Sequence, residues 1–148
     1  MNKNIIDLNY ALDARKSNIE LPIEYYNVSM GYILDLHIDL ANLAKGLEIR
    51  NYLEKFILAD LSGILNRIAD ICNFLEIDLT SDFRDVTGAT TEEILNSLFN
   101  SVSMLNYKKV TARAKMKTRI IPLFVELVES LGFTLEELED FYRKMQQN

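Results

Sequence analysis

Leu61, Ile64, Leu65, Ile68, Ile71, Cys72 and Leu75 place apolar side chains every three or four residues along one stretch of this chain. That spacing builds an α-helix with one buried face, whereas a strand alternates every second residue. Leu53, Phe56 and Ile57 extend the stripe backwards, so the longest helix of the chain is expected here. Gly63 sits inside it at a cost of about 1 kcal/mol relative to alanine, which a close packing contact would explain.

Three further stripes follow the same rule. Ile33, Leu36, His37, Leu40, Leu43 and Ala44 predict a helix that starts near Pro22, whose missing N–H suits a first turn, and closes at Gly46. Thr90 and Glu93 form a capping box ahead of Ile94, Leu95, Leu98, Phe99, Val102 and Leu105. Ile120, Ile121, Phe124, Leu127, Val128 and Leu131 mark the fourth, ended by Gly132, with Pro122 requiring that the helix begin or kink there. Thr134 and Glu137 then open a last helix through Leu138, Phe141, Tyr142 and Met145. Ile5 to Leu12 reads as a short amphipathic helix, and Asp78 to Ala89 as a turn of helix followed by a loop that breaks at Gly88. Five glycines and two prolines in 148 residues leave little room for the turns of a many-stranded sheet, and 49% hydrophobic residues supply a core. The fold class is all-α.

Two parts of the chain echo each other. Asn73 to Leu79 (NFLEIDL) aligns with Glu129 to Leu135 (ESLGFTL), about 56 residues later. Upstream, Ile33, Leu36, Leu40 and Leu43 match Leu95, Leu98, Val102 and Leu105. Each unit, residues 22–83 and 90–145, is a helix hairpin that cannot bury its own apolar face. Two such hairpins packing into one four-helix-bundle domain is the expected architecture, with short extra helices at the termini.

The formal net charge of -6 disfavours nucleic acid as a partner, because binding there needs a positive field. The single cysteine, Cys72, falls on an apolar stripe and reads as a buried, inert thiol. No run approaches the roughly 20 apolar residues of a membrane span, and the N-terminus lacks a signal-peptide pattern, so a soluble, cytoplasmic protein without a membrane partner is expected.

Asp35 and Asp39 stand one turn apart, where like charges destabilise a helix unless a cation offsets them. Asp60 lies at the margin of the long buried stripe. Three carboxylates from two antiparallel helices would hold Mg²⁺, which prefers oxygen ligands; the competing reading is three solvated acids beside a core. Lys108, Lys109, Arg113, Lys115, Lys117 and Arg119 follow without an intervening acid. They suit the phosphates of a nucleotide or nucleic acid, the acidic half of the chain, or plain solvent. His37 reads as a hydrogen-bonded core histidine rather than a base.

Leu34 to Leu43 (LDLHIDLANL) resembles the first metal-binding helix of the MazG-like nucleoside triphosphate pyrophosphohydrolases. Asp60 to Leu65 (DLSGIL) through Phe74 to Asp78 (FLEID) is similar to their second, and Arg119 to Pro122 (RIIP) through Leu131 to Glu137 (LGFTLEE) repeats its ending. The resemblance spans Met30 to Asp78 and Ile94 to Tyr142. It implies Mg²⁺-dependent hydrolysis of a nucleoside triphosphate to monophosphate and pyrophosphate, with Asp35, Asp39 and Asp60 as metal ligands, and a homodimer. The pattern is incomplete: Leu36 and Gly63 replace two acids, and the second unit offers Ser97, Leu98, Ser101, Met116 and Arg119 instead. Two readings follow, an active hydrolase with a reduced acid set, or an inactive relative that binds a nucleotide or serves as an interaction or regulatory module.

Overall fold

The computed structural model describes residues 5–16, 30–49, 53–84, 88–105 and 108–147. The chain is all-α, with helices α1 (Asn9–Arg15), α2 (Met30–Leu47), α3 (Glu54–Leu75), α4 (Thr91–Ser103), α5 (Lys109–Lys115), α6 (Ile121–Ser130) and α7 (Leu135–Gln146). A π-helical turn, Met116–Ile120, joins α5 to α6. Two-residue strands β1 (Ile6–Asp7) and β2 (Thr80–Ser81) pair antiparallel, Ile6 with Ser81 and Asp7 with Thr80. No described helix is long and apolar enough to cross a membrane.

The predicted stripes are buried together, except that Leu53 and Phe56, expected to extend the α3 stripe backwards, stand exposed because α3 starts only at Glu54 and its first turn projects beyond the core. Leu36, Leu40 and Leu43 of α2 and Leu61, Ile64, Leu65 and Ile68 of α3 join Leu98, Val102, Phe124, Leu127 and Val128 in one core. Helices α2 and α3 form an antiparallel hairpin, with Tyr32 at the start of α2 edge-on to Phe74 at the end of α3, ring centroids 5.6 Å apart. Thr91 at the start of α4 bonds Ser130 at the end of α6 at 3.0 Å, so those two are antiparallel as well. Both predicted capping boxes are present, Thr90 with Glu93 and Thr134 with Glu137. Cys72 is fully buried, and burial pushes its thiol up to about 12, so it carries no nucleophile at neutral pH.

The two sequence echoes end in the same backbone motif. At the end of α3, the N–H of Ile77 bonds the carbonyl of Cys72 at 3.0 Å and that of Glu76 bonds Asn73 at 3.1 Å. At the end of α6, Phe133 bonds Val128 at 3.2 Å and Gly132 bonds Glu129 at 3.0 Å. Both are Schellman closures, which need one residue in the left-handed region. Gly132 takes φ 91° there, and Glu76 takes φ 58° as the only described non-glycine residue with positive φ.

Elsewhere the structure departs from the sequence expectations. Ile5 to Leu12 is not one helix: Ile6 and Leu8 are buried on either side of exposed Asp7, a period-two pattern that docks β1 on β2, and α1 starts only at Asn9. The expected turn of helix after Asp78 is β2, because pairing with β1 satisfies that backbone instead. Gly46 lies within the last turn of α2 rather than beyond it. The start of that helix near Pro22 lies outside the described residues. Pro122 stands in the first turn of α6, as expected, but the π turn joins that helix to α5 without a break. Proline lacks an N–H and its ring crowds the carbonyl four residues back, and the widened turn just before it makes room.

Candidate functional site

Helix α2 presents Asp35 and Asp39 to the edge of α3 that carries Asp60, Gly63 and Arg67. The Arg67 guanidinium lies over both acids of α2: Nε is 2.9 Å from Asp39 Oδ2, and Nη1 is 3.9 Å from Asp35 Oδ2. This is a fork on two carboxylates one helical turn apart, geometry that suits arginine better than lysine. A Cβ on Gly63 would lie 3.7 Å from Asp39 Oδ2, ordinary contact, so packing does not demand a glycine at this position.

Of the acids expected to hold Mg²⁺, Asp35 and Asp39 face the Arg67 guanidinium. Among the described residues no three of His, Cys, Asp or Glu come together where an ion would sit. The cation that offsets the like charges of Asp35 and Asp39 is Arg67, and a metal would have to displace it from Asp39. Arg67 was absent from the sequence reading. Its only signal was an arginine one turn beyond Gly63, on the margin of the apolar stripe.

The basic strip is largely occupied with the end of α3. Arg113 Nε donates to the carbonyl of Leu75 at 2.8 Å. Lys117 Nζ donates to the carbonyls of Asp78 and Thr80 at 2.7 and 2.8 Å, and to the Thr80 hydroxyl at 2.9 Å. Lys109 Nζ stands 5.1 Å from the centre of the Phe74 ring. These cations close the negative end of a helix and the carbonyls of the segment that follows it. Lys108 and Arg119 are exposed and Lys115 is half-buried on the same helical run.

A second polar junction went unread in the sequence. Arg15 of α1 grips Asp70 of α3 through two bonds of 3.0 Å, and the Asp70 side chain keeps 8% of its surface in water. Beside it Tyr142 of α7 donates to Asn66, and Tyr10 of α1 packs edge-on to Tyr142 at 5.3 Å. The junction ties three helices together, and its ion pair is already complete.

Two features of α2 face away from α3. A cleft of about 300 Å³ between α2 and α4 is floored by Ala44, Leu47, Leu95 and Phe99. His37 stacks on Phe99 with ring centres 5.7 Å apart, and its Nε2 is buried without a hydrogen-bond partner, so the expected satisfied histidine is only half realised. The outer face of α2 carries Met30, Leu34 and Ile38 at i, i+4 and i+8, exposed by 52%, 52% and 55%. Ile49 beyond the end of α2, and Leu53 and Phe56 at the start of α3, are exposed as well. No protein-family model matches the chain, and neither a curated protein nor a solved structure is significantly similar to it.

Proposed function

We propose that this chain acts as a helical interaction module and does not hydrolyse nucleotides. The observation that carries the reading is the second apolar face of α2. One face, Leu36, Leu40 and Leu43, is in the core, and the other, Met30, Leu34 and Ile38, is in water. A helix apolar on both sides is stable and soluble when both sides are covered, and contiguous exposed apolar patches mark docking surfaces.

The chemistry of the acids supports the same reading. Metal-assisted attack of water on a triphosphate needs carboxylates free to hold the ion and coordination positions open to substrate. Here a guanidinium bonds Asp39, and Leu36 and Gly63 stand where the resemblance implies further acids. Arg113 and Lys117 donate to backbone carbonyls, which leaves them poorly placed to grip phosphate. We keep the MazG-like resemblance as a proposal about architecture, supported by the matching ends of α3 and α6.

The test is pyrophosphate release from a panel of ribo- and deoxyribonucleoside triphosphates with Mg²⁺ or Mn²⁺, with Asp39→Asn and Arg67→Gln alongside. No release is expected from any of the three proteins, and no metal binding by calorimetry. Metal-dependent release that disappears in Asp39→Asn would overturn the reading and restore the hydrolase.

A further inference from the structure

The cleft between α2 and α4, about 300 Å³, lies at the small end of the range for small-molecule sites. Leu47, Leu95 and Phe99 give it an apolar floor. The polar groups at its mouth are nearly all acceptors. Glu48, just beyond the end of α2, and Glu92, in the first turn of α4, are both exposed and stand on opposite walls, one from each helix. Among the described residues no cation pairs with either. Thr91 also lines the cleft, and its hydroxyl proton is already committed. It donates to Ser130 at 3.0 Å, which in turn donates to the carbonyl of Leu127 at 2.8 Å. The Thr91 oxygen therefore offers only lone pairs. Asn96 brings the one amide, and no Lys, Arg or His is among the lining residues. The helix ends keep the same sign. The end of α2 adds its own partial negative charge, and the positive start of α4 is answered by Glu93, whose carboxylate accepts the Thr90 N–H at 3.0 Å.

We propose that this cleft binds a small primary ammonium compound with one apolar ring, the ring on Leu95 and Phe99 and the ammonium between Glu48 and Glu92. An ammonium brings three donors and no acceptor, which matches the mouth. A phosphate or carboxylate would meet two like charges there. Phe99 offers the ring an aromatic partner. The ligand is a free molecule rather than a lysine of a protein partner. Lys45, exposed in the last turn of α2 and outside the lining, repels a basic segment laid along that helix but leaves the cleft itself open. The cleft faces α4, away from the side of Met30, Leu34 and Ile38. It therefore stands apart from the docking reading of α2 and from the acids that Arg67 holds.

A proton NMR titration of the full chain with 2-phenylethylammonium, at fixed pH, tests the assignment. His37 is the single histidine and stacks on Phe99 with ring centres 5.7 Å apart, so its ring signals report on the cleft. A saturating shift is expected, with a dissociation constant of about 1 mM or tighter. The neutral 2-phenylethanol is expected to bind about 10-fold more weakly, and the anionic 3-phenylpropionate not at all. Glu48→Gln and Glu92→Gln are each expected to weaken the ammonium about 2- to 5-fold, and the two together about 10-fold, while circular dichroism stays unchanged. Ala44→Leu fills the floor and is expected to abolish the shift; the charge series needs no variant and decides on wild type alone. No saturating shift, equal binding of the ammonium and the alcohol, or Gln variants that bind like wild type would overturn the proposal. So would a shift of His37 by the blocked dipeptide acetyl-Phe-Lys-amide where the free amine gives none, which would assign the cleft to a protein partner.

Discussion

Glu76→Gly is expected to stabilise the fold, and the matching helix ends give the magnitude. Glu76 closes α3 at φ 58°, where its Cβ crowds the neighbouring carbonyl, while Gly132 closes α6 in the same motif at φ 91° without that crowding. A non-glycine residue in the left-handed region costs roughly 1–2 kcal/mol. Glycine returns part of this through its greater freedom in the unfolded chain, about 0.5–1 kcal/mol. The expected net gain is about 0.5–1 kcal/mol. Glu76 also places a negative charge at the negative end of α3, so Glu76→Gln separates the charge effect, a few tenths of a kcal/mol, from the backbone effect. Urea unfolding followed by helical circular dichroism measures the change. With a slope of ~2 kcal/mol/M, the midpoint of Glu76→Gly rises by ~0.3–0.5 M, and Gly132→Ala falls by at least as much. A neutral or destabilised Glu76→Gly would refute the claim that the two helix ends are equivalent and that one of them holds strain.

Gly63→Ala is expected to raise stability by about 0.5–1 kcal/mol, since the added methyl meets only Asp39 Oδ2 at ordinary contact distance; a loss in the same urea assay would show that the hairpin needs the glycine. Arg15→Ala leaves the Asp70 carboxylate buried without its two bonds, and a loss of about 2–3 kcal/mol is expected in urea unfolding. The fold should also weaken in alkali. Burial raises the Tyr10 hydroxyl and the Cys72 thiol above their ordinary values, so the protonated forms stabilise the native state below the unfolded-chain values, 9.0 for the thiol and 10.0 for the hydroxyl, and that stabilisation is lost as pH rises through the folded values. Tyr10→Phe removes the phenol's share, so its urea midpoint should fall less than wild type between about pH 8 and pH 11; equal falls would show that Tyr10 is not the group involved.

The four long apolar stripes were legible because each spans three or more turns of one period, long enough for the buried face to stand out. The capping boxes were legible because they are local, each closed within four residues of chain. Ile6 to Leu8 was not, since three residues of alternation cannot be told from the start of a helix. Pro122 carried the right warning, but the response to it, a widened π turn that lets the helix continue, depends on Met116 and Ile120 being held in the core on either side. Arg67 was missed for a related reason. Its partners Asp35 and Asp39 lie on another helix, and the relative register of two helices is set by the packing of Leu36, Leu40, Ile64 and Ile68, not by any motif around the arginine.

The exposed apolar side of α2 is hard to read in the sequence for the same reason. Leu34 and Ile38 interleave with Ile33, Leu36 and Leu40, and a search for one buried stripe keeps the residues that fit and passes over the rest. Read as a whole, α2 has too many apolar positions for a helix with a single covered face. Arg67 then closes the one polar edge of α2, where Asp35 and Asp39 would otherwise repel each other, and so firms the hairpin that presents Met30, Leu34 and Ile38. In the proposed reading, the acids that suggest a metal site in the sequence anchor α2 to α3 through Arg67. Arg67→Gln is therefore expected to loosen the hairpin, read as a lower urea midpoint, with no turnover gained, whereas in a hydrolase it would free Asp39 for metal and raise turnover.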